Sequence, residues 1–344
     1  MIAQNEKIES RQGKKTNTVL APANASKPIS EGSELHNACT GVAVVAEGGG
    51  QRGIFTAGVL DTFLEHGFNP FAHGIGVSAG AQNLLSYFLQ QQGFAKRAIT
   101  ELTASPQFFV PYRWLAARSV IDLDSYFDAT LSNPEYQLPY QQITQVQSHR
   151  QLIFVATNRQ SLQAVYLEPN RRSVVSALKA SSAVPFLYKA PVKIGNESLV
   201  DGGVADPLPI QKAIDLGARH IVVIRTVPKL SDHSGWRQRI DALPIKRAIP
   251  RSLLDMLEIH EHAYAEAIKI IRSPPANVHL FNIAPSQPLH SHAFGSRSSA
   301  LIRDYESGRE AGSQALNELH PWLLTQVQSN RRKILRTETE SLTE

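Results

Sequence analysis

Two kinds of apolar pattern alternate along this chain. The first is a short unbroken run, as in Gly41 to Ala46 (GVAVVA), Leu152 to Ala156 (LIFVA) and His220 to Arg225 (HIVVIR). The first of these predicts a strand buried on both faces, and the other two predict further strands. His73 to Val77 and Asn277 to Ile283 predict two more strands. The second pattern repeats at helical spacing. Ile54, Ala57, Leu60 and Leu64 mark one helix, closed by Gly67, and Ala81, Leu84, Leu85 and Phe88 mark another. Ile210 to Leu216 predicts a short helix ended by Gly217, and long helical patterns occupy 252–272 and 297–319. Strands alternating with helices predict an α/β fold of three layers, α/β/α, with a mostly parallel or mixed central sheet.

Two stretches depart from this alternation. Residues 1–38 are polar and without period, which predicts a flexible leader. Residues 106–140 concentrate Phe108, Phe109, Tyr112, Trp114, Tyr126, Phe127, Tyr136 and Tyr140 among four prolines. They predict an aromatic insertion packed on the core, compatible with an apolar cap over an acyl chain.

Three glycine-rich turns carry the candidate chemistry. Gly76-Val77-Ser78-Ala79-Gly80 is a G-x-S-x-G placed between a predicted strand and a predicted helix. That context puts a serine on a sharp turn at the sheet edge, with a helix N-terminus beyond it to favour negative charge. Gly76 and Gly80 let the backbone bend and the substrate approach. Gly48-Gly49-Gly50-Gln51-Arg52-Gly53 also fits a dinucleotide fingerprint. A dinucleotide site wants an acidic residue near the end of the second strand, and the approach Phe71 to Gly76 holds no carboxylate. The remaining reading is an anion cradle, with the N–H groups of Gly48, Gly49 and Gly50 as an oxyanion hole. Arg52 pairs with Glu47 to shape that loop or faces a phosphate, and the first role is preferred. Asp201-Gly202-Gly203 ends another strand and by itself reads as a turn.

Taken together and in this order, GGGQRG at 48–53, GVSAG at 76–80 and DGG at 201–203 resemble the patatin-like phospholipases. Ala180 to Pro185 (ASSAVP) and Asp206 to Pro209 (DPLP) are similar to that family's segments on either side of its D-G-G. The resemblance spans about 41–285. It implies a patatin-like fold and a Ser-Asp dyad of Ser78 and Asp201. It also implies an oxyanion hole from Gly48, Gly49 and Gly50, with Arg52, Gly53, Gly76, Gly80, Gly202 and Gly203 supporting the motifs. The implied activity is hydrolysis of phospholipid or other fatty acyl esters through an acyl-enzyme. Glu47 departs from the aspartate that often precedes the family's glycines. The implied organisation is a leader at 1–38, an acyl hydrolase domain at 39–290 and a C-terminal helix with a basic tail at 291–344.

Two other readings stay open. A Ser-Asp-His triad would draw its base from His220, His260, His262, His279, His290 or His292, none of which lies in a sharp motif, and most of which read as surface residues. A catalytically weak lipid-binding module would use the same fold.

Composition narrows the setting. The net charge is +5, from 35 basic and 30 acidic side chains, and no nucleic-acid-binding pattern accompanies it. Arg331, Arg332, Lys333 and Arg336 cluster near the C-terminus and suggest weak peripheral contact with an anionic membrane. Cys39 is the single cysteine, which excludes an internal disulfide and fits a reducing cytoplasm. No signal-peptide core is evident, and no apolar run reaches the roughly 18 residues of a membrane span. The expected location is therefore cytoplasmic, with possible contact at the inner membrane face. No calcium loop, metal-ligand spacing or complete nucleotide fingerprint is present, so no cofactor is expected.

Overall fold

The computed structural model describes residues 39–116, 118–229 and 250–341, with side chains from Gly41 to Leu319. The expected leader and the basic cluster at 331–336 lie outside the described side chains. The first half of the chain runs β1 (Cys39–Ala46), α1 (Gly53–Glu65), β2 (Phe71–Val77), α2 (Ala79–Phe88), α3 (Phe94–Arg97), α4 (Leu123–Ser132), α5 (Ile143–His149) and β3 (Gln151–Asn158). The second half runs β4 (Ala164–Leu167), α6 (Val174–Ser182), β5 (Val192–Ile194), β6 (Glu197–Asp201), α7 (Ile210–Asp215), β7 (His220–Ile224), α8 (Arg251–Arg272), β8 (His279–Ile283) and α9 (Ser298–Ser341).

One eight-stranded sheet results. Strands β8, β7, β1, β2 and β3 lie side by side and parallel. The chain leaves β1 toward β2 on one side and returns to β7 on the other. The sheet therefore reverses its direction of growth at β1, where a crevice opens at the strands' carboxyl ends. Strands β4, β5 and β6 add an antiparallel extension.

The register on β3 has a consequence for the site. Phe154 to Thr157 pair with β4 along one edge. The opposite edge is shared. Gln151 to Val155 pair with β2, and Ala156 to Asn158 pair with β6. Strand β2 runs parallel to β3 and β6 runs antiparallel to it, so their carboxyl ends meet head-on. Val77 and Asp201 are the last residues of these two strands.

Alternation along β1 divides the core. Val42, Val44 and Ala46 point into a cluster with Phe55, Val59, Leu84, Leu85, Phe88 and Ala315, from α1, α2 and α9. Ala43 and Val45 point the other way, onto Ile210, Ala213, Tyr264, Ala267 and Ile268 of α7 and α8. The sheet is thus covered on both faces, which is why its central strands carry no polar stripe. In α1 the buried positions run without a gap from Gly53 to Phe63. One side of that helix meets the sheet, and α9 covers the other.

In the aromatic segment 106–140, Phe108, Tyr126, Phe127 and Tyr140 are core residues. None of this segment's described residues lines the cavity described below, although Phe109 stacks on Phe294 of the cavity wall. Tyr112, Trp114 and Leu115 are instead open to solvent, at 74%, 67% and 83% exposure. No helix among the described residues is long and apolar enough to cross a membrane.

Helices α1 and α9 approach through glycine. A Cβ at Gly308 would lie 2.1 Å from the Phe55 carbonyl oxygen. Gly308→Leu must push the helices apart, and such overpacking costs about 1–3 kcal/mol. The variant should lose several degrees of melting temperature in a thermal scan. An unchanged midpoint would mean that this contact does not bear on stability.

Candidate active site

Ser78 sits in the turn between β2 and α2 with φ 53° and ψ −122°. A positive φ in a non-glycine residue is strained by about 1–3 kcal/mol and persists only where the surroundings impose it. Here the surroundings are close backbone. A Cβ at Gly80 would come within 2.3 Å of the Ala46 carbonyl oxygen, and one at Gly76 within 2.5 Å of Ala81 Cα. Both glycines of the G-x-S-x-G are therefore required by the approach of α2 to β1 and β2. The Ser78 amide donates to Ser181 Oγ at 2.8 Å, and Gln82 Nε2 donates to Ser182 Oγ at 3.0 Å. Ser78 is 8% exposed.

Asp201 reaches Ser78 because β6 ends where β2 ends. Its backbone amide donates to the Ala183 carbonyl at 3.0 Å, so the 180–185 segment ties both strand ends together. Gly202 is needed there, since a Cβ would lie 2.1 Å from the Val155 carbonyl oxygen. The Asp201 carboxylate accepts the Gly203 amide at 2.8 Å and lies close enough to the Ser78 side chain for that hydroxyl to act on its titration. Burial dominates its titration, and the pKa is pushed up from 3.8 to about 6 against the opposing pull of those two donors.

The glycine loop closes the third side. Gly49 and Gly50 have φ 147° and 58°, and no backbone carbonyl among the described residues takes the N–H groups of Gly48, Gly49 or Gly50. Gly48 lies against the serine, where a Cβ would fall 3.2 Å from Ser78 Cβ. The loop is anchored by Glu47, which sequence reasoning paired with Arg52, and by Thr226, to which it gave no role. Glu47 is buried and accepts the Thr226 amide at 2.6 Å, while the Thr226 hydroxyl donates to the Gly48 carbonyl at 2.8 Å. Burial raises the Glu47 pKa, and the positive charges of Arg52 and Arg225 hold it down. Arg52 Nε also donates to the Gly49 carbonyl at 3.5 Å. Arg52 thus bonds the loop and its charge acts on Glu47, and it also lines the cavity described below. Gly53 begins α1 and packs where a Cβ would sit 3.0 Å from Ala79 Cβ.

These three turns face a cavity of about 260 Å³. Ser78, Asp201 and Gly48 to Gly50 form its polar end. Its walls are apolar, among them Val184, Phe186, Leu187, Val204, Leu253, Met256, Leu257 and Phe294. His260 completes it, while His262, His279, His290 and His292 are exposed, as expected for most of the six candidate histidines. Its Nδ1 bonds the Gly203 carbonyl, and burial followed by the Arg52 charge holds its pKa below the ordinary value. No histidine among the described residues bonds Ser78.

The raised pKa of Asp201 has a signed effect on stability. The fold favours the protonated acid, so the stabilising contribution is full below about pH 3.8 and is lost as pH rises through about 6. At pH 8 the ionised group then costs on the order of 3 kcal/mol. Asp201→Asn removes the charge and keeps the shape. It should melt above the wild type at pH 8, with the gap narrowing at pH 5. A variant that melts lower at pH 8 would show that the carboxylate is not penalised by burial.

Comparison with known proteins bears on this geometry. A family model described as patatin-like phospholipase matches residues 44–214. A second, described as a domain of unknown function (DUF6363), matches 251–324. The "Uncharacterized protein YjjU" of Escherichia coli K12 is 38% identical over 275 residues, covering 79% of this chain and 76% of that protein. The crystal structure of VipD from Legionella pneumophila matches at 13% identity with a TM-score of 0.40, over 80% of this chain and 66% of that one. The first model spans β1 to α7 and takes in the glycine loop, the serine turn and the aspartate turn. The chain belongs to the patatin-like phospholipase family.

Proposed function

We propose that this protein is a serine acyl hydrolase that cleaves fatty acyl chains from phospholipids or related lipid esters, with Ser78 as nucleophile and Asp201 as general base. The observation that carries the reading is Ser78 beside the buried Asp201 carboxylate, at the polar end of an apolar cavity. An ordinary carboxylate is a weak base. Burial makes Asp201 more basic while leaving it mostly ionised above its pKa of about 6. As the serine oxygen attacks the ester carbonyl, Asp201 takes its proton. The carbonyl oxygen becomes negative beside the free amides of Gly48 to Gly50 and the N-terminus of α2. One such donor is worth about 3 kcal/mol in related chemistry. Collapse expels the alcohol with the proton held by Asp201 and leaves an acyl-serine. Water, deprotonated by the same carboxylate, releases the fatty acid. The apolar walls suit an acyl chain and exclude the water that would weaken these interactions.

The dyad is preferred over the triad because no histidine among the described residues bonds Ser78, and the one lining the cavity, His260, bonds the Gly203 carbonyl. Hydrolysis of a soluble nitrophenyl ester tests this. Ser78→Ala should abolish turnover, and Asp201→Asn should lower kcat by about 10²–10⁴-fold, the range for loss of a general base. The wild-type rate should rise with pH to a plateau, with its midpoint near 6, as Asp201 ionises. Full turnover by either variant, or a rate independent of pH between 5 and 7, would contradict the assignment.

A further inference from the structure

The 251–324 segment matched as a domain of unknown function grips both halves of the site. On the aspartate half the contact is His260. A carbonyl oxygen can only accept, so Nδ1 of His260 carries the hydrogen and donates to Gly203. Gly203 is thereby held at both ends, since its own amide donates to Asp201 Oδ1 at 2.8 Å. The other imidazole nitrogen, Nε2, is buried and without a hydrogen-bond partner. A proton there would have no acceptor and would face the Arg52 charge. The ring is therefore fixed as a neutral donor.

On the glycine half two contacts act. Tyr264 lies one turn along α8, on the same face as His260. Its hydroxyl accepts from Arg225 Nη2 at 2.8 Å, and the Arg225 charge acts on Glu47 at the root of the loop. Farther along, the Ala293 carbonyl accepts the Gln51 amide at 2.9 Å, and the Ser296 amide donates to Gln51 Oε1 at 2.8 Å. The same segment supplies Leu253, Met256, Leu257 and Phe294 to the cavity wall.

We propose that residues 251–324 are an integral part of the acyl-transfer site, and that His260 is a positioning residue that holds the Gly203 turn so that Asp201 stays aimed at Ser78. The proposal rests on the acyl hydrolase reading above. His260 does not reach Ser78 and moves no proton. It fixes the donor that orients the base. Loss of that bond frees the Gly203 carbonyl in a buried place, lets the turn rotate and weakens the Gly203 amide's hold on the carboxylate. Asp201 then becomes harder to ionise and swings from the serine.

Three variants of the full chain separate positioning from packing. Asparagine places an amide nitrogen close to where Nδ1 lies, so His260→Asn keeps the donor. His260→Leu has nearly the shape of asparagine and no donor. His260→Gln is polar but carries its nitrogen past the Gly203 carbonyl. The readouts are kcat and KM for a soluble nitrophenyl ester, the acid limb of the pH–rate profile, and the rate of labelling by a fluorophosphonate. His260→Leu and His260→Gln should lose about 100-fold in kcat and labelling rate, the scale of a misplaced catalytic group, with KM changed little. Their acid limb should move to higher pH. His260→Asn should stay within a few-fold of wild type on every measure. If the leucine variant does not fold, the glutamine and asparagine pair carries the same comparison. Wild-type kcat and acid limb in the glutamine or leucine variant would overturn the positioning role, as would an asparagine variant as impaired as glutamine. A wild-type protein that neither labels nor turns over would overturn the acyl hydrolase reading itself, and this role with it.

Discussion

On one edge of β3 the pairing with β2 stops at Val155, and the pairing with β6 starts at Ala156. Two strands of opposite sense thus end against each other inside a covered sheet. The backbone groups at both ends are buried, so each finds partners in the segment between them. Ser181, Ser182 and Ala183 are that segment. They take the Ser78 amide, the Gln82 side chain and the Asp201 amide. The hydroxyl of Ser78 and the carboxylate of Asp201 meet as a consequence. The site follows from how two strand ends are satisfied, and the strained φ of Ser78 is sustained by the same packing.

The electrostatics follow from the same burial. Asp201 has a protein environment with two donors and no counter-ion among the groups that set its pKa. That environment is enough to keep the carboxylate usable and too poor to keep it comfortable. Glu47, equally buried, differs because Arg52 and Arg225 face it. The two carboxylates thus differ in surroundings. Burial raises both, but Glu47 has two cations to offset part of that penalty and accepts the Thr226 amide at the root of the glycine loop, whereas Asp201 has none.

Much of this was legible in the residues. The strands GVAVVA, LIFVA and HIVVIR lie buried on both faces, and such runs declare themselves without help from distant contacts. The serine and glycine turns were legible because close backbone approach leaves few residue choices, as Gly76, Gly80 and Gly202 each illustrate. Strands β4 and β5 were not, since they are short and only partly buried, and their pairing depends on register with β3 and β6. His260 was hidden for a different reason. Its partner is a backbone carbonyl 57 residues away in sequence, and a contact with backbone leaves no motif. The polar spacing of α8 reads as a surface helix, and only the fold reveals that one of its faces closes a cavity. Ser181 lay within a stretch recognised by resemblance, yet its bond to the Ser78 amide has no sequence signal of its own.

The account stands on Ser78 being an activated nucleophile. The most direct measurement is the mass of the intact protein after exposure to a fluorophosphonate, followed by peptide mapping of the adduct. A single phosphonyl group on Ser78, formed at neutral pH and suppressed as Asp201 is protonated below about pH 6, is the predicted result. An unmodified protein, or an adduct on another serine with Ser78 left intact, would contradict it.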